Sequence, residues 1–311
     1  MPRPPWSFVR AAATLVALAH VYGCSGHAPL PPRAAALNQL GLEAFAQGDL
    51  ATAEARLALA LEFHPRFVEA LVNLGLVELA RGNHERAEAL IGRARRLNGD
   101  LPHPHHGLGV LAHRRQQLAE AAEHYREALR VDPAFVPSRA NLGRLLFDAG
   151  AYDEAREQFA RLIEAAPGDG RGHAGMVESL VQLGRRADAE RALDRGLREA
   201  GTTAPVRLLA ARAALADGHI NEARAALRQM TTEPSESPAS VLAWLSLATL
   251  AAGEPREAQA LAEQGLALDR HDPVATYAMA RALEAQGDPA AVAWQRRVDE
   301  ERRPGVHARL R

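Results

Sequence analysis

The chain has 311 residues and a formal net charge of -1, with 37 basic residues that are all arginine. So even a balance carries no basic footprint for nucleic acid, and a single cysteine, Cys24, excludes an internal disulfide and a thiolate metal cluster. Aromatic residues are scarce at 5%, and alanine is abundant, as closely packed helices require.

The first segment, Met1–Arg10, carries Arg3 and Arg10, and Ala11–Tyr22 is then apolar apart from Thr14 and His20. A basic start, a short apolar core and small residues at the end predict a secretory signal peptide over 1–23; the run is too short for a spanning helix. Its end, Val21-Tyr22-Gly23-Cys24-Ser25, resembles a bacterial lipobox, with Tyr22 bulkier than usual at its place. That resemblance implies lipid on Cys24 and, because Ser25 follows it rather than aspartate, sorting to the outer membrane, on its periplasmic face. The alternative is an ordinary cleaved signal and a soluble periplasmic protein. Residues 24–33 end in the proline-rich SGHAPLPPR, an extended and semi-rigid spacer.

From residue 34 onward the chain repeats every 34 residues. Glycine stands at 48, 82, 150, 184, 218, 253 and 287, with Gln116 in the one departing slot, and a single step, 218 to 253, is 35. Alanine keeps the same beat at 53, 87, 121, 155, 189, 223 and 258. A fixed period of this length predicts a solenoid of stacked supersecondary units. Within one period, Leu71, Leu74, Gly75 and Val77 lie on one helical face, Gly82-Asn83 breaks the helix, and Ala87, Leu90, Ile91 and Ala94 line a second. Asn98-Gly99-Asp100 is expected to close that second helix as a capping glycine does.

This pattern resembles the tetratricopeptide repeat. The family places a bulky residue and then a small one in the first helix, here Leu40-Gly41, Leu74-Gly75, Leu108-Gly109 and Leu142-Gly143. Its second helix carries a small residue and a large one four later: Ala53/Leu57, Ala87/Ile91, Ala121/Tyr125, Ala155/Phe159, Ala189/Leu193 and Ala223/Leu227. Pro65, Pro133 and Pro167 stand near repeat ends. The resemblance implies an all-α, right-handed superhelical solenoid of seven to eight repeats. They fall at 34–67, 68–101, 102–135, 136–169, 170–203, 204–237 and 239–272, with a partial capping repeat at 273–302 and a tail at 303–311. The later repeats drift, with Val177, Ala211 and Ser246 in the small slot, and Thr231–Ser240 is loop-like in composition.

Three motifs invite a chemical reading. Gly170-Arg171-Gly172-His173-Ala174-Gly175 matches the dinucleotide fingerprint in letters, but a helix rather than a strand precedes it. His84-Glu85-Arg86-Ala87-Glu88 lacks the second histidine of a zinc protease. His103, His106 and His113 share one side of a first helix and are the one candidate for a metal site, against a plain polar lining. No nucleophile–base constellation is found, so a non-catalytic protein without cofactor is expected.

By resemblance, the working surface is the concave face built from the first helices. Carried over, its lining is Asn38, Leu42, Phe45, Asn73, Leu76, His106, Val110, His113, Asn141, Arg144, Phe147, Glu178 and Arg212, with Arg171 and Arg281 further along. Asn73 and Asn141 have amides that both donate and accept, suited to a peptide backbone; Phe45 and Phe147 are candidate anchors. The chaperone-tail clamp of the family is not met, because Asn38 and Val72 stand where bases belong. The layout of signal, lipidated cysteine, linker and repeats is similar to lipoproteins of pilus and secretin assembly. A peptide-binding scaffold with a cell-envelope protein partner is therefore expected. The alternative is a periplasmic holdase or a subunit of a polysaccharide export complex.

Overall fold

The computed structural model describes residues 30–233 and 238–301. The signal segment, Cys24, Ser25 and the 303–311 tail lie outside them. Among the described residues, sixteen helices follow one another in pairs. The first helices of the pairs are α1 (Pro32–Ala46), α3 (Val68–Ala80), α5 (Pro102–Arg114), α7 (Val136–Asp148), α9 (Gly170–Gln182), α11 (Ala204–Ala216), α13 (Pro238–Ala251) and α15 (Pro273–Gln286). The second are α2 (Leu50–Phe63), α4 (His84–Leu97), α6 (Leu118–Val131), α8 (Tyr152–Ala165), α10 (Arg186–Ala200), α12 (Ile220–Thr231), α14 (Pro255–Leu268) and α16 (Ala291–Glu301). Each helix packs on its partner and on the next pair, and first helices touch first helices, as α7 does α9 and α9 does α11. The result is an all-α solenoid in which each unit buries surface only against its neighbours.

The alanine beat is the seam of this stack. Ala53, Ala87, Ala121, Ala155, Ala189, Ala223 and Ala258 are all buried, as are Leu57, Ile91, Tyr125, Phe159 and Leu227 four residues on. Leu57, Ile91, Tyr125 and Phe159 each fill the hollow left by a glycine of the facing first helix, and Leu227 packs with Ala211 in that slot. A Cβ on Gly75 would lie 2.8 Å from Ile91 Cγ1, and one on Gly109 2.5 Å from Tyr125 Cε1. Three expected packing residues depart. Leu40, on the first described helix, is 45% exposed, Leu108 is half-buried, and Leu193 is half-buried beside Val177, which occupies the small slot.

The turn glycines do a different task. At Gly82 the chain takes φ +85°, and the N–H groups of Gly82 and Asn83 donate to the carbonyls of Leu79 and Glu78. This paired closure satisfies the last carbonyls of α3. Gln116 makes the same closure without being glycine: φ is +61°, with Gln116 N–H to His113 O and Gln117 N–H to Ala112 O, both at 2.9 Å. Gly99, in contrast, has no positive φ; α4 ends on Asn98 in extended backbone, so the expected capping glycine there is corrected. The array ends on α16, where Val298 is buried and Trp294 packs against the last core cluster. No helix among the described residues is long and apolar enough to cross a membrane.

Candidate functional site

One register position of the first helix recurs at 34-residue steps as Leu42, Leu76, Val110, Arg144, Glu178 and Arg212. The solenoid brings these side chains into line on α1, α3, α5, α7, α9 and α11. The first three are apolar and half-buried. The last three form a ladder: Glu178 Oε2 accepts from Arg144 Nη1 at 3.2 Å, and Glu178 Oε1 from Arg212 Nη1 at 2.5 Å. Arg144 also binds Asp148 one turn along, with Nη2 2.6 Å from Oδ1. Aromatic rings flank the ladder. The Arg144 guanidinium carbon sits 4.9 Å from the centre of the Phe147 ring, and that of Arg212 sits 4.7 Å from Trp244. Phe147 in turn meets Tyr152 edge-on at 5.3 Å.

These residues border a cavity of about 1210 Å³ running from α7 to α15. Asn141, Arg144, Phe147, Glu178 and Arg212 line it, together with Trp244. Its floor is low because Ala140, Gly170, Ala174 and Gly175 have little side chain. Ala46, at the far end of α1, borders the same cavity, so the array curves around it.

Arg171 borders it as well, whereas the remaining predicted groove residues do not. Asn73 Nδ2 donates to Asn38 Oδ1 at 2.9 Å, so these two amides are engaged with each other across α1 and α3. Phe45 packs into the cluster around Ala44, Leu74 and Val77, and Leu76 into that around Leu71 and Val72. Val110 packs against Leu111 and Ala87. Asn141 also reaches the Tyr125 hydroxyl at 3.5 Å. Arg281 pairs with Glu284 on its own helix.

Of the three candidate histidines, His106 is buried and His103 and His113 are half-buried. His106 is a core residue, 9% exposed. Its Nδ1 lies 3.1 Å from Ser138 Oγ, and its ring packs near Tyr125 and Phe135 at 5.9 and 5.7 Å. Burial, followed by the charges of His103 and Arg171, lowers its pKa to about 4. His103 turns its ring onto Phe135 at 5.0 Å, and burial lowers both it and His113. Among the described residues no three histidine, cysteine or acidic side chains converge to hold a metal. The glycine-rich stretch 170–175 is the start of α9 itself, which follows a short helix-to-helix turn: Asp169 caps it by accepting the Arg171 N–H, and His173 is buried with Nε2 2.8 Å from Pro167 O.

Tetratricopeptide repeat models match residues 38–102, 112–178, 146–213 and 273–293. The chain belongs to the tetratricopeptide repeat family. A tetratricopeptide array is a protein–protein interaction scaffold, and this chain has that architecture. A TPR repeat-containing protein of Pseudomonas aeruginosa is 35% identical over 94 residues, 30% of this chain and 38% of that protein. The type IV pilus assembly protein PilF of the same organism is 32% identical over 98 residues, 32% of this chain and 38% of PilF. The alignments therefore span 38% of the length of these curated relatives. Among solved structures, a tetratricopeptide protein from Parabacteroides merdae superposes with a TM-score of 0.56 at 18% identity, over 81% of this chain and all of that one. A chain of the APC/C hetero-tetramer Cut9-Hcn1 gives 0.69 at 15% identity, over 88% and 55%. Pseudomonas aeruginosa PilF gives 0.50 at 21%, over 68% and 95%. At these identities the structural likeness establishes the shared solenoid fold.

Proposed function

We propose that this protein is a membrane-tethered scaffold that takes an extended peptide segment of a cell-envelope partner into the cavity between α7 and α15. The observation that carries the reading is the cavity itself. It is lined mainly by first helices, is bordered by three aromatic rings and by the Arg144–Glu178–Arg212 ladder, and has room for several residues of an extended chain. Rigid aromatic and arginine side chains are the groups that dominate interface energies. The lipobox-like Val21–Ser25 supports a lipid anchor on Cys24 and an outer-membrane site facing the periplasm, where several acyl chains hold stably. The partial likeness to PilF, together with that layout, supports a role in assembling a pilus or secretion machine.

A photoreactive amino acid in place of Phe147, in living cells, is expected to give one dominant crosslinked product that is an envelope protein. Absence of any product, at wild-type abundance of the variant, counts against the groove. Labelling with a lipid precursor is expected in the wild type and lost in Cys24→Ser; equal labelling removes the anchor from the reading.

A further inference from the structure

The charges around the cavity are unequally engaged. Asp272 places Oδ1 on the N–H groups of Val274 and Ala275, at 2.9 and 2.8 Å, and takes the Ser240 hydroxyl on Oδ2 at 2.9 Å. Asp169 holds Arg171, Nη2 to Oδ2 at 2.7 Å, and caps α9. Glu178 divides its two oxygens between Arg144 and Arg212, and Arg144 spends its other nitrogens on Asp148. All three carboxylates that border the cavity are thus committed.

Arg212 is placed differently. It commits Nη1 to Glu178, its guanidinium carbon lies over Trp244, and the side chain keeps 30% of its surface exposed. A guanidinium has five N–H donors in a planar fork. Glu178 and Trp244 fix that plane and leave an edge of the fork for a second acceptor. A stacked, oriented guanidinium is well suited to receiving a carboxylate through two parallel hydrogen bonds. Leu208 packs in the same cluster as Trp244 and borders the cavity, which gives an apolar wall beside the fork.

We propose that Arg212, braced by Glu178 and Trp244, binds a side-chain carboxylate of the partner peptide, so that the recognised segment carries Asp or Glu next to an apolar residue. This rests on the reading of the cavity as a peptide groove and specifies the chemistry of its occupant. The test pans a phage-displayed random dodecapeptide library on the immobilised full-length chain, beside Arg212→Gln and the charge-retaining Arg212→Lys, each first checked for the wild-type helical signal. The wild type is expected to enrich peptides with Asp or Glu adjacent to Leu, Phe or Trp, and both variants to lose the acidic preference while retaining apolar selection. For the best synthetic peptide, Arg212→Gln and replacement of its carboxylate by an amide are each expected to weaken binding on the order of tenfold, a step of about 1.4 kcal/mol, with no further loss when combined. Peptides enriched without acidic bias overturn the carboxylate assignment and leave the groove standing. No enrichment over the naive library overturns both.

Discussion

Phe159 occupies the space that a side chain on Gly143 would need: a Cβ there would stand 2.8 Å from Phe159 Cε1. Gly175, on the next first helix, is pressed by the same ring. One aromatic side chain from α8 thereby locks α7 and α9 together, and the bareness of both glycines is what lets the ring in. Gly143→Ala forces the ring or a helix to shift and is expected to destabilise the protein by about 1–3 kcal/mol. Chemical denaturation followed by circular dichroism measures it, and Phe159→Leu in the Gly143→Ala background is expected to recover part of the loss.

Gln116 sits in left-handed backbone at φ +61° where the other repeats use glycine. A side chain there costs on the order of 1 kcal/mol relative to glycine, with all the hydrogen bonds of the closure already made. Gln116→Gly is therefore expected to raise stability by about 0.5–1 kcal/mol, read as a higher denaturation midpoint. An unchanged or lower midpoint contradicts this account of the turn.

Stability is expected to fall as pH drops from about 6.5 towards 4. The folded pKa of His106 is lowered to about 4, below the ordinary value near 6.5. The native state therefore holds the neutral ring while the unfolded chain binds a proton in that window. The stability is complete above the unfolded pKa and is lost progressively as pH falls through the folded one. A shift of this size corresponds to at most about 3 kcal/mol. Melting temperature against pH tests it, and His106→Gln is expected to flatten the slope between pH 4 and 6.5.

Asn38 and Asn73 are tied by one hydrogen bond of 2.9 Å between successive first helices. Either alanine variant is expected to cost about 1 kcal/mol. The double variant is expected to cost less than the sum, because each single change already removes the shared bond. Strict additivity in a double-mutant cycle shows that the amides act separately.

The fold was legible because its determinants repeat. Ala53 and its six successors, and the glycine that closes every described first helix but α5, recur at one period apart from a single 35-residue step and mean the same thing each time. The cavity was legible only from Asn141 onward. His106 obeys the register of a groove residue, yet the larger Tyr125 and Phe135 close over it, and ring size across two repeats is not visible in one helix. Asn73 resembles Asn141 in sequence, but only the stacking distance to Asn38 shows that its amide is engaged. Trp244 was missed because the single 35-residue step moves the register by one. Counting 73, 107, 141, 175 and 209 onward through that step lands on 244, and this was the available signal.

The two sorts of glycine, at the turns and at the helix contacts, answer to different constraints. Around Gly82 nothing lies within 4 Å of where a Cβ would stand, so that turn selects for handedness and is indifferent to bulk. Gly143 lies inside a right-handed helix and selects for bulk alone. A mirror-image alanine, introduced by chemical synthesis, separates them: D-alanine at position 82 suits the turn and is tolerated, whereas at 143 L-alanine meets the Phe159 ring and D-alanine disfavours the right-handed helix. The stereochemistry of a single methyl group thus tells a residue that bends the chain from one that lets two helices meet.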